Sequence, residues 1–146
     1  MDRKAPFVMV LGLLLPLMAI QVAAQNKELV VDIPFSFNVC REQFSAGRYH
    51  VRPLSNANPN LVLVSSEDKR SAEVACAHDV QSTKAAKTGK LVFHRYGDQY
   101  FLSETWLPGE KIGTQLVKSE KEEALLKELR GVKREKVTIK ITEVKP

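Results

Sequence analysis

The chain has 146 residues, of which 44% are hydrophobic and 27% are charged, and its formal net charge is +5. This length suits one domain, and this composition is that of a globular protein and excludes wholesale disorder. The positive charge permits anionic partners such as lipid headgroups, acidic glycans or nucleic acid, but a surface with an ordinary excess of lysine also accounts for it.

The first 24 residues have the pattern of a secretory leader. Two cations in MDRK precede a run without charge from Ala5 to Gln25, and the small residues of VAA at 22–24 fit a leader peptidase. We expect cleavage after Ala24 and export to the periplasm or the exterior. An uncleaved membrane anchor is the alternative, because the uncharged stretch is just long enough to span a bilayer. Removal of 1–24 leaves a net charge of +4.

Four short strands are predicted in the first half of the mature chain. Apolar and polar residues alternate in 27–39 and again in 48–54, which is the pattern of a half-buried strand. The run LVLVSS at 61–66 and the segment 72–78 are also typical of strands. The first of these segments places five apolar residues on one face: Val31, Ile33, Phe35, Phe37 and Val39.

The segment KLVFHRYGDQYFLSETW, residues 90–106, predicts a β-hairpin with Gly97-Asp98 as its two-residue turn. In that register Tyr96 faces Gln99 and Arg95 faces Tyr100, followed by the pairs His94–Phe101 and Phe93–Leu102. Both faces carry apolar bulk, which indicates a central hairpin covered on both sides. One face is predicted to hold Leu91, Phe93, Arg95, Tyr100, Leu102 and Trp106, and the other Val92, His94, Tyr96, Phe101 and Thr105.

One helix and one strand are predicted near the C-terminus. Ser119 and Glu122 have the spacing of a capping box, which places a helix at about 119–130. Alternation in EKVTIKITEV predicts a final strand at about 136–144. Residues 25–146 are therefore expected to form a single β-rich domain, an all-β fold of about seven strands in a small antiparallel sandwich or barrel, with one α-helix in the C-terminal half.

Several phrases resemble a group of small exported bacterial proteins without an assigned function. They are VDIPFSFNV, AGRYHV, NPNLVLVSSED and, as the specific part, KLVFHRYGDQYFLSETW. The resemblance covers roughly residues 29–130 and implies a single secreted β-domain with a late charged helix. No catalytic or binding residues are assigned in that group, so none is carried over. The group commonly has other residue types at Cys40 and near Cys76, so the two cysteines are not a hallmark of it.

The two cysteines, Cys40 and Cys76, are candidates for one disulfide, because an exported chain meets an oxidising compartment. The alternative is two separate buried thiols that act as small apolar residues. Cys76 and His78 share a strand face, but two ligands are too few for a closed zinc site, and no context for a nucleophile surrounds them. We therefore expect no catalytic residues, no metal and no cofactor.

A ligand-contact surface is the one binding site that the sequence suggests, at Arg95, Tyr96 and Tyr100 beside the hairpin turn. Tyrosines there are also good strand residues that pack across a hairpin. The leading hypothesis is an exported, non-enzymatic binding or structural module of the envelope, with a protein or glycan as partner, no nucleic acid, and membrane contact only through an uncleaved leader. The alternatives are a small exported enzyme with a fold-assembled site, or a basic domain that binds anionic polymer through the Lys84, Lys87 and Lys90 region and the tail 133–140.

Overall fold

The computed structural model describes residues 27–146, so the predicted leader 1–24 lies outside the described residues. The described chain forms eleven strands and one short helix. These are β1 (Glu28–Ile33), β2 (Phe37–Val39), β3 (Glu42–Phe44), β4 (Gly47–Ser55), β5 (Asn58–Ser66), β6 (Ala72–Gln81), β7 (Lys90–Tyr96), β8 (Gln99–Trp106), β9 (Ile112–Leu116), α1 (Glu120–Glu128), β10 (Glu135–Lys140) and β11 (Glu143–Lys145). The predicted fold class, mostly β with one late helix, is confirmed, but the strand count of about seven is too low.

Nine strands form one path in the order β10-β7-β8-β9-β6-β5-β4-β1-β11, and all neighbours on it are antiparallel. The path turns at β6, whose first half pairs with β5 and whose second half pairs with β9. The two halves of the path face each other across one apolar core. That core draws Val31, Val51 and Val64 from one half and Leu91, Phe93 and Leu102 from the other.

The four extra strands come from two splits and two missed segments. The predicted strand 27–39 is interrupted at 34–36, and its second part, β2, pairs with β3, which lies where no strand was predicted. The predicted strand 136–144 breaks at Ile141 and Thr142. Consequently β10 pairs with β7 at one end of the path and β11 pairs with β1 at the other. Strand β9 is the second segment in which no strand was predicted.

The β7–β8 hairpin has the predicted turn and register near its tip. Gly97 has a φ of 59°, and the four predicted residue pairs from Tyr96–Gln99 to Phe93–Leu102 are all formed. The register then shifts by one residue, because Val92 pairs with Glu104 and leaves Ser103 as a bulge. Beyond the bulge the faces are exchanged relative to the prediction: Thr105 lines the inner side, and the Trp106 indole lies on the outer side.

Helix α1 packs on the outer face of this hairpin near its turn. Ser119 caps the helix as predicted, since its hydroxyl accepts a hydrogen bond from the Glu122 backbone amide at 3.1 Å. The Glu122 side chain does not return to the cap. It points into the protein, where it is the buried residue of the helix. No helix within residues 27–146 combines the length and the apolar character needed to cross a bilayer.

Candidate binding site

The three residues of the predicted contact surface do not share one face. The Arg95 guanidinium lies over the Tyr100 ring at 5.4 Å, as expected of a cation–π pair, and its Nε donates to the Gly97 carbonyl at 2.8 Å. The Tyr100 ring stacks on Phe35 with 3.9 Å between ring centroids. Tyr96 points to the other side of the strand and is only 1% exposed. It therefore cannot meet a ligand together with Arg95.

Tyr96 instead belongs to a buried polar network beneath α1. Its hydroxyl donates to Glu122 Oε1 at 2.8 Å, and His94 Nδ1 lies 3.3 Å from the same oxygen. The other ring nitrogen of His94, Nε2, is 3.2 Å from the Ser103 hydroxyl, which the bulge in β8 places there. Burial, helped by the hydrogen bond to the Glu122 carboxylate, raises the pKa of Tyr96 to about 12.

The order of these contacts, serine to histidine to carboxylate, is that of a hydrolase triad, but the network is closed. The His94 and Glu122 side chains are 5% and 6% exposed, and Ser103 is 5% exposed. A triad serine has to reach a substrate carbonyl, and this one is buried. The network is best understood as the anchor of α1, and Lys121, which donates to the Asn38 side chain at 2.6 Å, adds a second attachment beside it.

Cys40 and Cys76 are free thiols in the structure, so the candidate disulfide is not formed there. They nevertheless line one shallow groove of about 530 Å³ beside the start of α1. Cys40 Sγ lies 3.8 Å from the Val74 carbonyl, which places the sulfur alongside β6. Burial and then the Glu73 carboxylate raise the pKa of the Cys40 thiol. The two thiols are close in space although 36 positions separate them in the chain.

A cavity between the two halves of the sheet path is the best candidate for a binding site. Its volume is about 270 Å³, and it opens where β1, β5 and β9 begin and where β4 and β8 end. Leu29, Val51 and Val62, all buried core residues, form its inner wall. The remaining lining residues come from the strand ends and loops around the mouth: Lys27, Arg52, Pro53, Pro59, Thr105, Leu107, Ile112, Gly113 and Thr114.

The charged lining of this inter-sheet cavity is entirely cationic. Lys27 precedes β1, and Arg52 stands in β4, where its guanidinium donates to the carbonyls of Pro53 and Leu54 at 3.2 and 3.4 Å. The polar lining otherwise includes the hydroxyls of Thr105 and Thr114. An apolar interior with a few polar groups at one end is the usual design of a site for a small amphiphile.

The cavity could not be recognised from the sequence. Its lining residues come from five strands and from the segments next to β1 and β8, and no local pattern of the sequence brings them together. Thr105 was expected on the same face as His94 and Tyr96, and only the bulge at Ser103 turns it inward. Residues 27–146 contain no group of three or more His, Cys, Asp and Glu side chains placed to hold a metal ion.

The chain matches no protein-family model, no curated protein and no solved structure. The resemblance to small exported bacterial proteins therefore stays a prediction from the sequence.

Proposed function

We propose that the mature chain is an exported, non-enzymatic binding domain whose inter-sheet cavity takes a small amphiphile with an acidic head group. The observation that carries this proposal is the pairing of an apolar cavity with a cationic mouth. Leu29, Val51 and Val62 supply the apolar wall, while Lys27 and Arg52 supply the positive charge. A carboxylate or phosphate at the mouth would stay hydrated and pair with these cations, while the apolar tail leaves water for the cavity.

The cavity volume limits the size of the tail. About 270 Å³ corresponds to roughly nine water-sized volumes, so a chain of about eight to ten carbons is the expected fit. Each methylene that enters contributes about 0.8 kcal/mol of transfer free energy. Affinity should therefore rise along a series of short fatty acids and stop rising once the tail fills the cavity.

Two features of the described residues favour binding over catalysis. The serine, histidine and carboxylate that lie in contact order are buried, and none of them lines the cavity. The pair Cys76 and His78 does not line the cavity either, and the His78 ring contacts Gln115 at 3.1 Å. Export is supported by the leader pattern of residues 1–24 and by the resemblance described above.

Decanoate and decanol, titrated against the mature domain, test the proposal. Isothermal titration calorimetry measures this binding, since the single tryptophan of the chain, Trp106, lies on the outer side of the sheet and does not line the cavity. We expect decanoate to bind about fivefold more tightly than decanol, because one partly exposed ion pair contributes at most about 1 kcal/mol. Arg52→Gln should remove most of that difference, and Arg70→Gln, whose side chain is 87% exposed and does not line the cavity, should not.

A filled cavity provides the second test. Thr114→Phe adds a ring inside the cavity, and Gln115→Phe adds the same ring to the opposite face of β9. We expect the first variant to lose decanoate binding and the second to keep it, with urea unfolding used to confirm that both are folded. The proposal is wrong if no decanoate signal is seen, or if the folded Thr114→Phe variant binds as the parent does.

A further inference from the structure

A row of like charges crosses the outer face of the sheet at the end that carries the cavity mouth. Lys140 of β10 is the direct cross-strand partner of Lys90 in β7, and Lys90 is the partner of Trp106 in β8. Lys90 Nζ lies over the indole, 5.8 Å from its centroid. Like charges placed directly opposite each other destabilise a sheet, so this row needs an explanation other than stability.

The loop before β7 adds two more lysines at a fixed position. Lys84 and Lys87 line one depression of about 200 Å³ together with Lys90 and Trp106. Backbone hydrogen bonds hold this loop against the β8–β9 connection: Ala86 N to the Glu110 carbonyl at 3.0 Å and Gly109 N to the Ala86 carbonyl at 2.8 Å. We call the four residues Lys84, Lys87, Lys90 and Lys140 the lysine face.

The positive charge of the lysine face is not neutralised by neighbouring acids. Within residues 27–146, none of its four members lies within ion-pair distance of a carboxylate. Glu104 of the neighbouring strand β8 accepts a hydrogen bond from the Trp106 indole at 2.8 Å and pairs with Lys136 at 3.8 Å. Glu110 belongs to the adjoining connection and contributes its backbone to the loop. The face is thus suited to an external anion.

The surroundings of the lysine face favour a lipid surface over a sugar polymer. A sugar ring would need an open aromatic face, and Trp106 is only 6% exposed beneath Lys90. Two large apolar side chains, in contrast, are exposed at the same end of the fold: Leu54 at 38% and Ile112 at 51%. Cations beside exposed apolar side chains are the usual composition of a surface that docks on anionic lipid.

We propose that this end of the fold docks on an anionic lipid surface, with the lysine face on the headgroups and the cavity mouth toward the membrane. The identity of the cavity's ligand rests on the proposed function, whereas docking on the lipid rests on the positive charge of the lysine face alone. Each lysine held near an anionic leaflet strengthens binding about fivefold, and this attraction weakens as salt screens it.

Sedimentation with lipid vesicles tests the proposal on the mature domain. Vesicles of phosphatidylcholine with phosphatidylglycerol should bind the protein, and vesicles of phosphatidylcholine alone should not. The double variant Lys84→Gln with Lys87→Gln should lower the partition coefficient about 25-fold, from two lysines at about fivefold each. A matched control, Lys118→Gln with Lys127→Gln, removes the same charge at the two ends of α1 and should change it less than twofold.

The docking proposal fails if both double variants lose binding equally, if neutral vesicles bind as well as anionic ones, or if soluble heparin binds the lysine face while vesicles do not. Its failure is separable from that of the cavity. Decanoate binding without vesicle binding overturns docking alone, and lysine-dependent vesicle binding without decanoate binding overturns the cavity ligand alone.

Discussion

At the scale of single residues, Gly113 leaves no room for a side chain on the outer face of β9. A Cβ atom there would meet three ring atoms of Trp106 at 2.6 to 2.8 Å. The indole cannot move aside freely, because its N–H is bound to Glu104 and Lys90 lies over its face. Gly113→Ala should therefore lower the free energy of unfolding by about 1–3 kcal/mol in urea titrations.

Gly47→Ala is the matched control for this prediction. A Cβ at that position meets only one atom of the Tyr49 ring, at an ordinary 3.7 Å. We expect a change within about 0.5 kcal/mol, because no atom has to move and the unfolded chain loses some freedom. Equal destabilisation by the two substitutions would contradict the account of Trp106.

A second prediction at this scale concerns alkaline pH. The pKa of Tyr96 is raised to about 12 in the folded protein, and it is about 10 in an unfolded chain. The folded state thus holds this proton more tightly, and the stabilisation is present below pH 10 and is lost as the pH rises toward 12. Tyr96→Phe should flatten this decline in urea titrations between pH 8 and 11, where parallel curves for variant and parent would refute the assignment.

At the scale of elements, helix α1 is stabilised by contacts and not by its own length. Nine residues are too few for a stable isolated helix. Glu122→Ala would leave the Tyr96 hydroxyl and His94 without their buried acceptor, so we expect a loss of about 2–4 kcal/mol. Glu123→Ala changes the exposed neighbour and should cost about 0.5 kcal/mol or less.

Hydrogen exchange distinguishes a local from a global effect of these substitutions. If Glu122 anchors the helix, the amides of 120–128 should lose protection in Glu122→Ala while those of β7 keep most of theirs. Uniform loss of protection across the domain would show that the network supports the whole core, and unchanged protection in α1 would show that Glu122 is not its anchor.

The hairpin and the helix could be predicted from the sequence only in part. Alternation located the β7–β8 hairpin and its register near the Gly97 turn, because local residue order determines both. It could not locate the bulge at Ser103, which depends on a partner nine residues away, His94. The buried Glu122 was likewise missed, since a glutamate at that position of a helix is normally a capping residue. Because the bulge was missed, Trp106 and Thr105 were expected on the wrong faces.

At the scale of the whole molecule, the fold class could be predicted from the sequence, whereas the candidate binding site could not. Composition and period-two runs indicate a β-domain with one helix, since each strand carries its own pattern. The cavity and the lysine face both depend on which strands become neighbours. Lys90 and Lys140 are 50 positions apart and meet only because β10 pairs with β7. Such pairings are non-local, and no short stretch of sequence specifies them.

The cysteine pair offers a final prediction at this scale, because a bridge would join the β2–β3 hairpin to β6. Cys76 is exposed, whereas burial raises the pKa of the Cys40 thiol. With oxidised glutathione, the Cys76 thiolate should attack first, forming a mixed disulfide and releasing one reduced glutathione. The Cys40 thiolate then attacks the Cys76 sulfur and expels the second. Because the thiolate is the attacking species, this closing step should speed up as the pH rises.

Closure of this loop should raise the free energy of unfolding by about 3–4 kcal/mol on the chain-entropy account. Thiol titration should fall from two free thiols to none, and Cys40→Ser should stop at the mixed disulfide on Cys76. A product in which each cysteine carries its own glutathione would show that the two sulfurs cannot meet across the groove. A bridge that forms without stabilising the domain would show that the β2–β3 hairpin must be strained to reach β6.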